Sequence, residues 1–261
     1  MFEERLKVLF NKKIASDTYC LGLEAPKIAG TAKPGQFVMV RIRPGYDPLL
    51  RRPFSVAGVT GDTVHILYRV VGKGTAIMVD IHEGHVLDVL GPLGKGFVTD
   101  KQGGKCLLVG GGIGVAPLYF LASTLEGKDV EFLMGFRTSQ DFFVYEPLAG
   151  KGFRVSVATD DGSKGYTGPV TGLLETSLER TEAAPVSVFA CGPKAMLRRI
   201  AALCKSSKIP CQVSLETTMG CGLGACLGCA VQASFRERER YLYACKDGPV
   251  FFAESIDWSV F

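Results

Sequence analysis

Four cysteines crowd into the last 41 residues: Cys221, Cys226 and Cys229 stand as C-x4-C-x2-C, and Cys245 follows. Thiolates are soft ligands, and this is the plant-type spacing for a [2Fe–2S] cluster held by four sulfurs. Gly220, Gly222, Gly224 and Gly228 sit between the cysteines. They let the backbone wrap tightly and aim N–H groups at the sulfurs, which tunes a cluster's potential. Zinc is the competing metal, but zinc sites usually show two C-x2-C pairs and only one such pair is present. The bland alternative is four structural thiols.

A second set of residues suits a nucleotide. Val109-Gly110-Gly111-Gly112-Ile113-Gly114-Val115-Ala116-Pro117 reads as a strand end, a glycine turn and a helix start. Such a turn admits a pyrophosphate close to backbone N–H groups, and Pro117 suits a first helical turn. A tight turn without a ligand is the alternative. The dinucleotide fingerprint also wants an acid at the end of the second strand. Gly135-Phe136-Arg137 stands there instead, and Arg137 leaves a 2′-phosphate contact open. Cys191-Gly192-Pro193 ends another strand, where open α/β sheets bind ligands, though Cys191 reads equally as a core thiol. Nearer the N-terminus, Arg52 suits a phosphate and Ser55 a flavin edge in Arg51-Arg52-Pro53-Phe54-Ser55. Tyr68-Arg69-Val70-Val71-Gly72-Lys73-Gly74-Thr75 adds a second arginine and a turn whose Gly74 and Thr75 N–H groups suit phosphate. Each of these also reads as a solvated strand end.

The elements that must position these groups fall into three segments. Over 1–100, short apolar runs at 37–40, 64–68 and 86–89 are separated by Gly and Pro, with Pro34-Gly35 and Pro44-Gly45 as turns. That pattern predicts an antiparallel β-barrel. Over 101–215, strands at 106–109, 130–134, 153–158, 186–190 and 212–215 alternate with helices at 117–125 and 194–205. Such alternation predicts a doubly wound parallel α/β domain, with 100–104 as the linker. Over 216–261 lies a Cys- and Gly-rich module too short to fold without a metal or staple. The expected class is therefore all-β plus α/β with a small C-terminal [2Fe–2S] module.

Composition narrows the function. The 261 residues carry 30 basic and 26 acidic side chains, intermixed, for a net charge of +4, which argues against a nucleic-acid partner. No apolar run is long enough for a membrane span, and the charged start Met1-Phe2-Glu3-Glu4-Arg5 lacks a signal-peptide core. Nine cysteines, an odd number, fit a reduced cytoplasmic protein with a metal site better than a disulfide framework. His65, His82 and His85 fall in or near the barrel segment and read as structural.

In this order the pieces resemble the ferredoxin–NAD(P)+ reductase superfamily, across the whole chain. Arg52-Pro53-Phe54-Ser55 is similar to its Arg-x-Tyr/Phe/Ile-Ser flavin motif. Gly110-Gly111-Gly112-Ile113-Gly114 and Cys191-Gly192-Pro193 are similar to its two nicotinamide motifs. The tail, Met219 to Cys229 and then Cys245-Lys246-Asp247-Gly248-Pro249-Val250-Phe251, closely resembles that of dihydroorotate dehydrogenase B electron-transfer subunits. Subunits of bifurcating NAD(P)H–ferredoxin reductases and sulfide dehydrogenases share the fold, but their typical Gly-Met-Cys-Gly-x-Cys-Arg cluster form is missing. The resemblance implies FAD held by Arg52, Pro53, Phe54, Ser55, Leu67, Tyr68 and Arg69, with Gly74 and Thr75 at its pyrophosphate. It implies that Gly110, Gly111, Gly112, Gly114, Cys191, Gly192 and Pro193 border NAD(H), a substrate. It places Glu216 at the flavin's reactive side. It implies an FMN-containing dihydroorotate dehydrogenase catalytic subunit as partner, in a heterotetramer of two copies of each, working in pyrimidine (UMP) biosynthesis. No acid–base catalytic residue is expected. A sister reductase subunit and a flavin/iron–sulfur redox sensor are the competing readings.

Overall fold

The computed structural model describes residues 1–99, 104–125, 127–144, 153–180, 186–234 and 240–261. Residues 100–103 of the expected linker lie outside them. The first segment forms β1 (Phe2–Lys13), β2 (Thr18–Glu24), α1 (Pro26–Ala29), β3 (Phe37–Arg41), β4 (Arg52–Thr60), β5 (Thr63–Arg69), α2 (Lys73–Met78) and β6 (Val86–Leu93). The six strands close into an antiparallel barrel in the order β1-β2-β5-β4-β3-β6. Side chains alternate across each strand, so one strand serves two cores. Val64, Ile66 and Tyr68 of β5 fill the barrel with Leu21, Val38 and Val40, whereas Leu67 faces outward into a second core. Phe37 and Met39 of β3 face a third. Burying each such aliphatic side chain contributes about 1.5–3 kcal/mol.

The second segment forms β7 (Lys105–Gly111), α3 (Val115–Thr124), β8 (Asp129–Phe136), β9 (Arg154–Thr159), β10 (Tyr166–Thr167), α4 (Val170–Glu179), β11 (Val186–Cys191), α5 (Lys194–Ser206) and β12 (Cys211–Ser214). The sheet order is β10-β9-β8-β7-β11-β12 and then β15 (Val250–Phe252), and its strands are parallel up to β12. Alternation works here too: Leu107 and Val109 face α4 and α5, while Cys106 and Leu108 face α3. Helices therefore cover both faces, as a doubly wound sheet requires. Helix α3 is buried along most of its length, from Val115 through Ala122. It fills the seam between sheet and barrel, packing with Ala57 and Leu67.

The tail differs from a free-standing module. β13 (Ala230–Gln232) and β14 (Tyr241–Tyr243) make a two-stranded sheet, but β15 (Val250–Phe252) joins the large sheet antiparallel to β12. Helix α4 is also absent from the sequence-based expectation, which placed helices only at 117–125 and 194–205. Among the described residues no helix is long and apolar enough to cross a membrane.

Candidate functional site

The cluster cysteines come together through the small sheet. Ala230 pairs with Tyr243, which sets Cys229 beside the turn that carries Cys245. The Ala244 N–H donates to the Cys229 carbonyl at 3.0 Å, and the Cys229 and Cys245 sulfurs lie 3.1 Å apart. Cys221 is bound to the same loop as Cys226: its sulfur accepts N–H groups from Leu223 at 3.3 Å and Cys226 at 3.4 Å. The Gly224 N–H donates to Cys245 Sγ at 3.1 Å. Donors aimed at sulfur favour the thiolate, and the Leu223 N–H first among them brings the Cys221 thiol down to about 6. Burial and the neighbouring Cys229 push Cys245 up to about 12. The sulfurs stand as two pairs, Cys221 with Cys226 and Cys229 with Cys245, and among the described residues no three candidate ligands close on a single metal ion. Four thiols with N–H donors around them fit iron–sulfur chemistry. Gly222 adopts φ +74° and lies on the barrel, where a Cβ would come within 2.6 Å of Met39 Cγ. Cys226 is exposed, flanked by the half-exposed Leu223 and Leu227.

The residues expected at a flavin occupy neighbouring barrel strands. Arg52, Pro53, Phe54 and Ser55 run along β4, register partners of Val40, Met39, Val38 and Phe37 on β3. Gly74, in the first turn of α2, lies against Arg52, and a Cβ there would sit 3.4 Å from the guanidinium Nε. The Thr75 hydroxyl accepts from the N–H groups of Val71 at 2.9 Å and Gly72 at 3.1 Å, so it braces the start of the helix. A guanidinium facing the unpaired N–H groups of a first helical turn fits a pyrophosphate. Tyr68, also expected at the flavin, turns its side chain into the barrel. Its ring is 1% exposed, stacks on Tyr19 inside the barrel and donates its hydroxyl to Asn11 Oδ1 at 3.1 Å.

Gly111, Gly112, Gly114, Gly192 and Pro193 converge on one cleft of about 450 Å³ at the C-terminal ends of the parallel strands, whereas Gly110 and Cys191 lie behind its wall. Its floor is the glycine turn after β7, and Cys191-Gly192-Pro193 after β11 locks against that turn. A Cβ on Gly114 would lie 2.4 Å from the Cys191 carbonyl oxygen, and one on Gly111 would lie 2.6 Å from Met196 Sδ. Arg69 and Glu216 line the same cleft, which joins it to the end of β5. Glu216 keeps surface open to the cleft but is ringed by its walls. That burial raises its carboxyl above the ordinary range, with Arg69 pulling the other way. Cys191 is 2% exposed, and its thiol is driven up by burial and then by the nearby Glu216 charge.

Sequence comparison carries the decision. Residues 216–257 match the model of the iron–sulfur cluster binding domain of dihydroorotate dehydrogenase B. The dihydroorotate dehydrogenase B (NAD(+)) electron transfer subunit of Bacillus caldolyticus is 43% identical over 260 residues, covering 97% of this chain and 98% of that one. Its counterpart in Desulforamulus reducens is 39% identical over 97% of each chain. The chain belongs to this family of electron transfer subunits. Among solved structures, an NADH-dependent reduced ferredoxin–NADP oxidoreductase studied for flavin-based electron bifurcation superposes with a TM-score of 0.86 and 30% identity. That alignment covers 98% of this chain and 90% of that one.

In this electron transfer subunit the structure gathers the expected residues into three neighbouring groups. The four cysteines share one loop system, Arg52 meets Gly74, and the two glycine motifs interlock around Glu216 and Arg69. Five cleft residues escape the sequence reading: Asp141, Asp160, Pro169, Val170 and Met196. Asp160 carries the point. No acid ends β8, but one lines the cleft a strand over: Asp160 follows β9, and its N–H donates to the Phe136 carbonyl at 3.1 Å. Thr159-Asp160-Asp161-Gly162 was the available signal, an acidic turn just past a strand.

Proposed function

We propose that this subunit passes electrons from an FMN-bearing, dihydroorotate-oxidising partner, through its own [2Fe–2S] cluster and FAD, to NAD+. The observation that supports this most directly is continuity. The cysteine loop rests on Met39 of β3, Met39 pairs with Pro53 of the flavin motif on β4, and β5 beside it delivers Arg69 into the nucleotide cleft. A bound flavin supplies the chemistry that joins one-electron and hydride transfer. The chain's own work is to hold and insulate. Cys221, Cys226, Cys229 and Cys245 ligate the cluster; Arg52 and the first turn of α2 take the flavin pyrophosphate; the glycine turn and Cys191-Gly192-Pro193 seat the nicotinamide beside Glu216. The exposed side of the cluster, at Cys226 between Leu223 and Leu227, is where the partner docks. An assembly of two copies of each subunit and a cytoplasmic location, suited to nine cysteines outside any disulfide, complete the reading.

The test is co-expression with the cognate catalytic subunit and assay of dihydroorotate-dependent NAD+ reduction. Activity that needs both chains supports the proposal. NADH oxidation with intact flavin and cluster spectra, but no dihydroorotate-linked activity, moves the reading to a bifurcating-type reductase subunit. The TM-score of 0.86 to such an enzyme makes that the specific competitor.

A further inference from the structure

Helix α2 has six residues and, at that length, no independent stability. Met78 anchors it in the barrel core and Thr75 braces its start, and one side chain from a distant strand ties down its far end. Asn11 of β1 donates both amide hydrogens to carbonyls at and just beyond the helix's C-terminal end, Met78 O at 2.7 Å and Ile81 O at 3.0 Å. Its amide oxygen accepts the Tyr68 hydroxyl at 3.1 Å. The amide's orientation follows from its partners, because the reversed group would set its oxygen against two carbonyls. Strand β1, strand β5 and α2 are thereby tied together across sequence separations of 57, 67 and 70 residues. At the helix's other end, Gly74 meets Arg52.

We infer that Asn11 is a positioning residue for the flavin pyrophosphate. It pins the far end of α2, and so sets the gap between the helix's first turn and the Arg52 guanidinium. Tyr68 supports Asn11 from inside the barrel rather than touching the flavin with its ring. This rests on the reading of Arg52 and α2 as the phosphate cradle. A rigid helix this short transmits a displacement at one end directly to the other.

The experiment measures FAD affinity of the full chain by titrating flavin back into deflavinated protein, with the cluster spectrum followed in parallel. Asn11→Ala removes two hydrogen bonds to α2, and FAD then binds roughly tenfold more weakly. Excess FAD restores NADH-dependent dye reduction with an unchanged KM for NADH, which general damage to the fold does not allow. Tyr68→Phe, which keeps both bonds to the helix, weakens FAD about threefold and stands in if the first variant does not fold. FAD affinity within about twofold of the parent in Asn11→Ala, or activity that added FAD does not restore, overturns the inference. Gly74→Val separates the layers. If it retains FAD, the cradle itself is wrong and the inference falls with it. If it loses FAD while Asn11→Ala does not, only the role of Asn11 falls.

Discussion

Replacing Gly114 by alanine tests the way the two nicotinamide motifs interlock. Gly114 has φ −61°, so an alanine meets no backbone strain of its own. The obstacle is purely steric: its Cβ would lie 2.4 Å from the Cys191 carbonyl oxygen and 2.7 Å from Gly192 Cα. Both obstacles are main chain, which cannot rotate away as a side chain would. Relief requires the turn after β7 and the turn after β11 to part by about 1 Å, an overpacking strain of about 1–3 kcal/mol. The displaced atoms form the floor of the cleft proposed to seat the nicotinamide, so the strain is expected to appear in the reaction with NADH. Each 1.4 kcal/mol is about tenfold, which predicts a fall in kcat/KM of roughly 10- to 100-fold. Stopped-flow bleaching of the flavin by NADH reads this directly. The flavin and cluster spectra of the resting variant stay as in the parent, because the cradle at Arg52 and the cysteine loop lie elsewhere. Flavin reduction at parental rate and parental KM would refute the packing argument.

Two further outcomes follow from groups already placed. Cys226→Ser removes the visible absorbance of the cluster and stops electron passage to the partner, while NADH still reduces the flavin; a full cluster spectrum in that variant overturns the ligand assignment. His65 is 6% exposed, and burial lowers its imidazole to about 4 from an ordinary 6.5. The unfolded chain therefore binds the proton more readily, and stability falls as pH drops from 6.5 toward 4, by on the order of 3 kcal/mol at the limit. Melting curves across that window show the decline in the parent and a flatter profile in His65→Gln; equal slopes contradict the assignment.

How much of this was legible beforehand depends on whether a feature is local. The cysteine spacing and the glycine turns are local, and the cluster read from the spacing agrees with the matched iron–sulfur domain over 216–257. The barrel runs 37–40, 64–68 and 86–89 appear as β3, β5 and β6 with their ends adjusted by a few residues. Helix α4 was not legible because Val170-Thr171-Gly172 opens it with β-branched residues and a glycine, all poor helix formers. Packing of Val170 and Leu174 onto the sheet overrides that propensity. Asp160 was missed because its place depends on β9 lying next to β8, a matter of sheet order that no window of sequence contains. The alternation of Val64, Ile66 and Tyr68 sets the Tyr68 ring inside the barrel, as the period of a strand dictates.

Strand β15 gives the cysteine tail a second role. It begins five residues after Cys245 and lies along β12, which would otherwise end the large sheet with open N–H and C=O groups. An uncovered edge of that kind invites pairing with another chain. A chain stopped before the tail would thus lose more than its cluster: it would present a sticky parallel sheet to its neighbours. The segment that carries the cluster cysteines is also the selvage that keeps the sheet from unravelling into others.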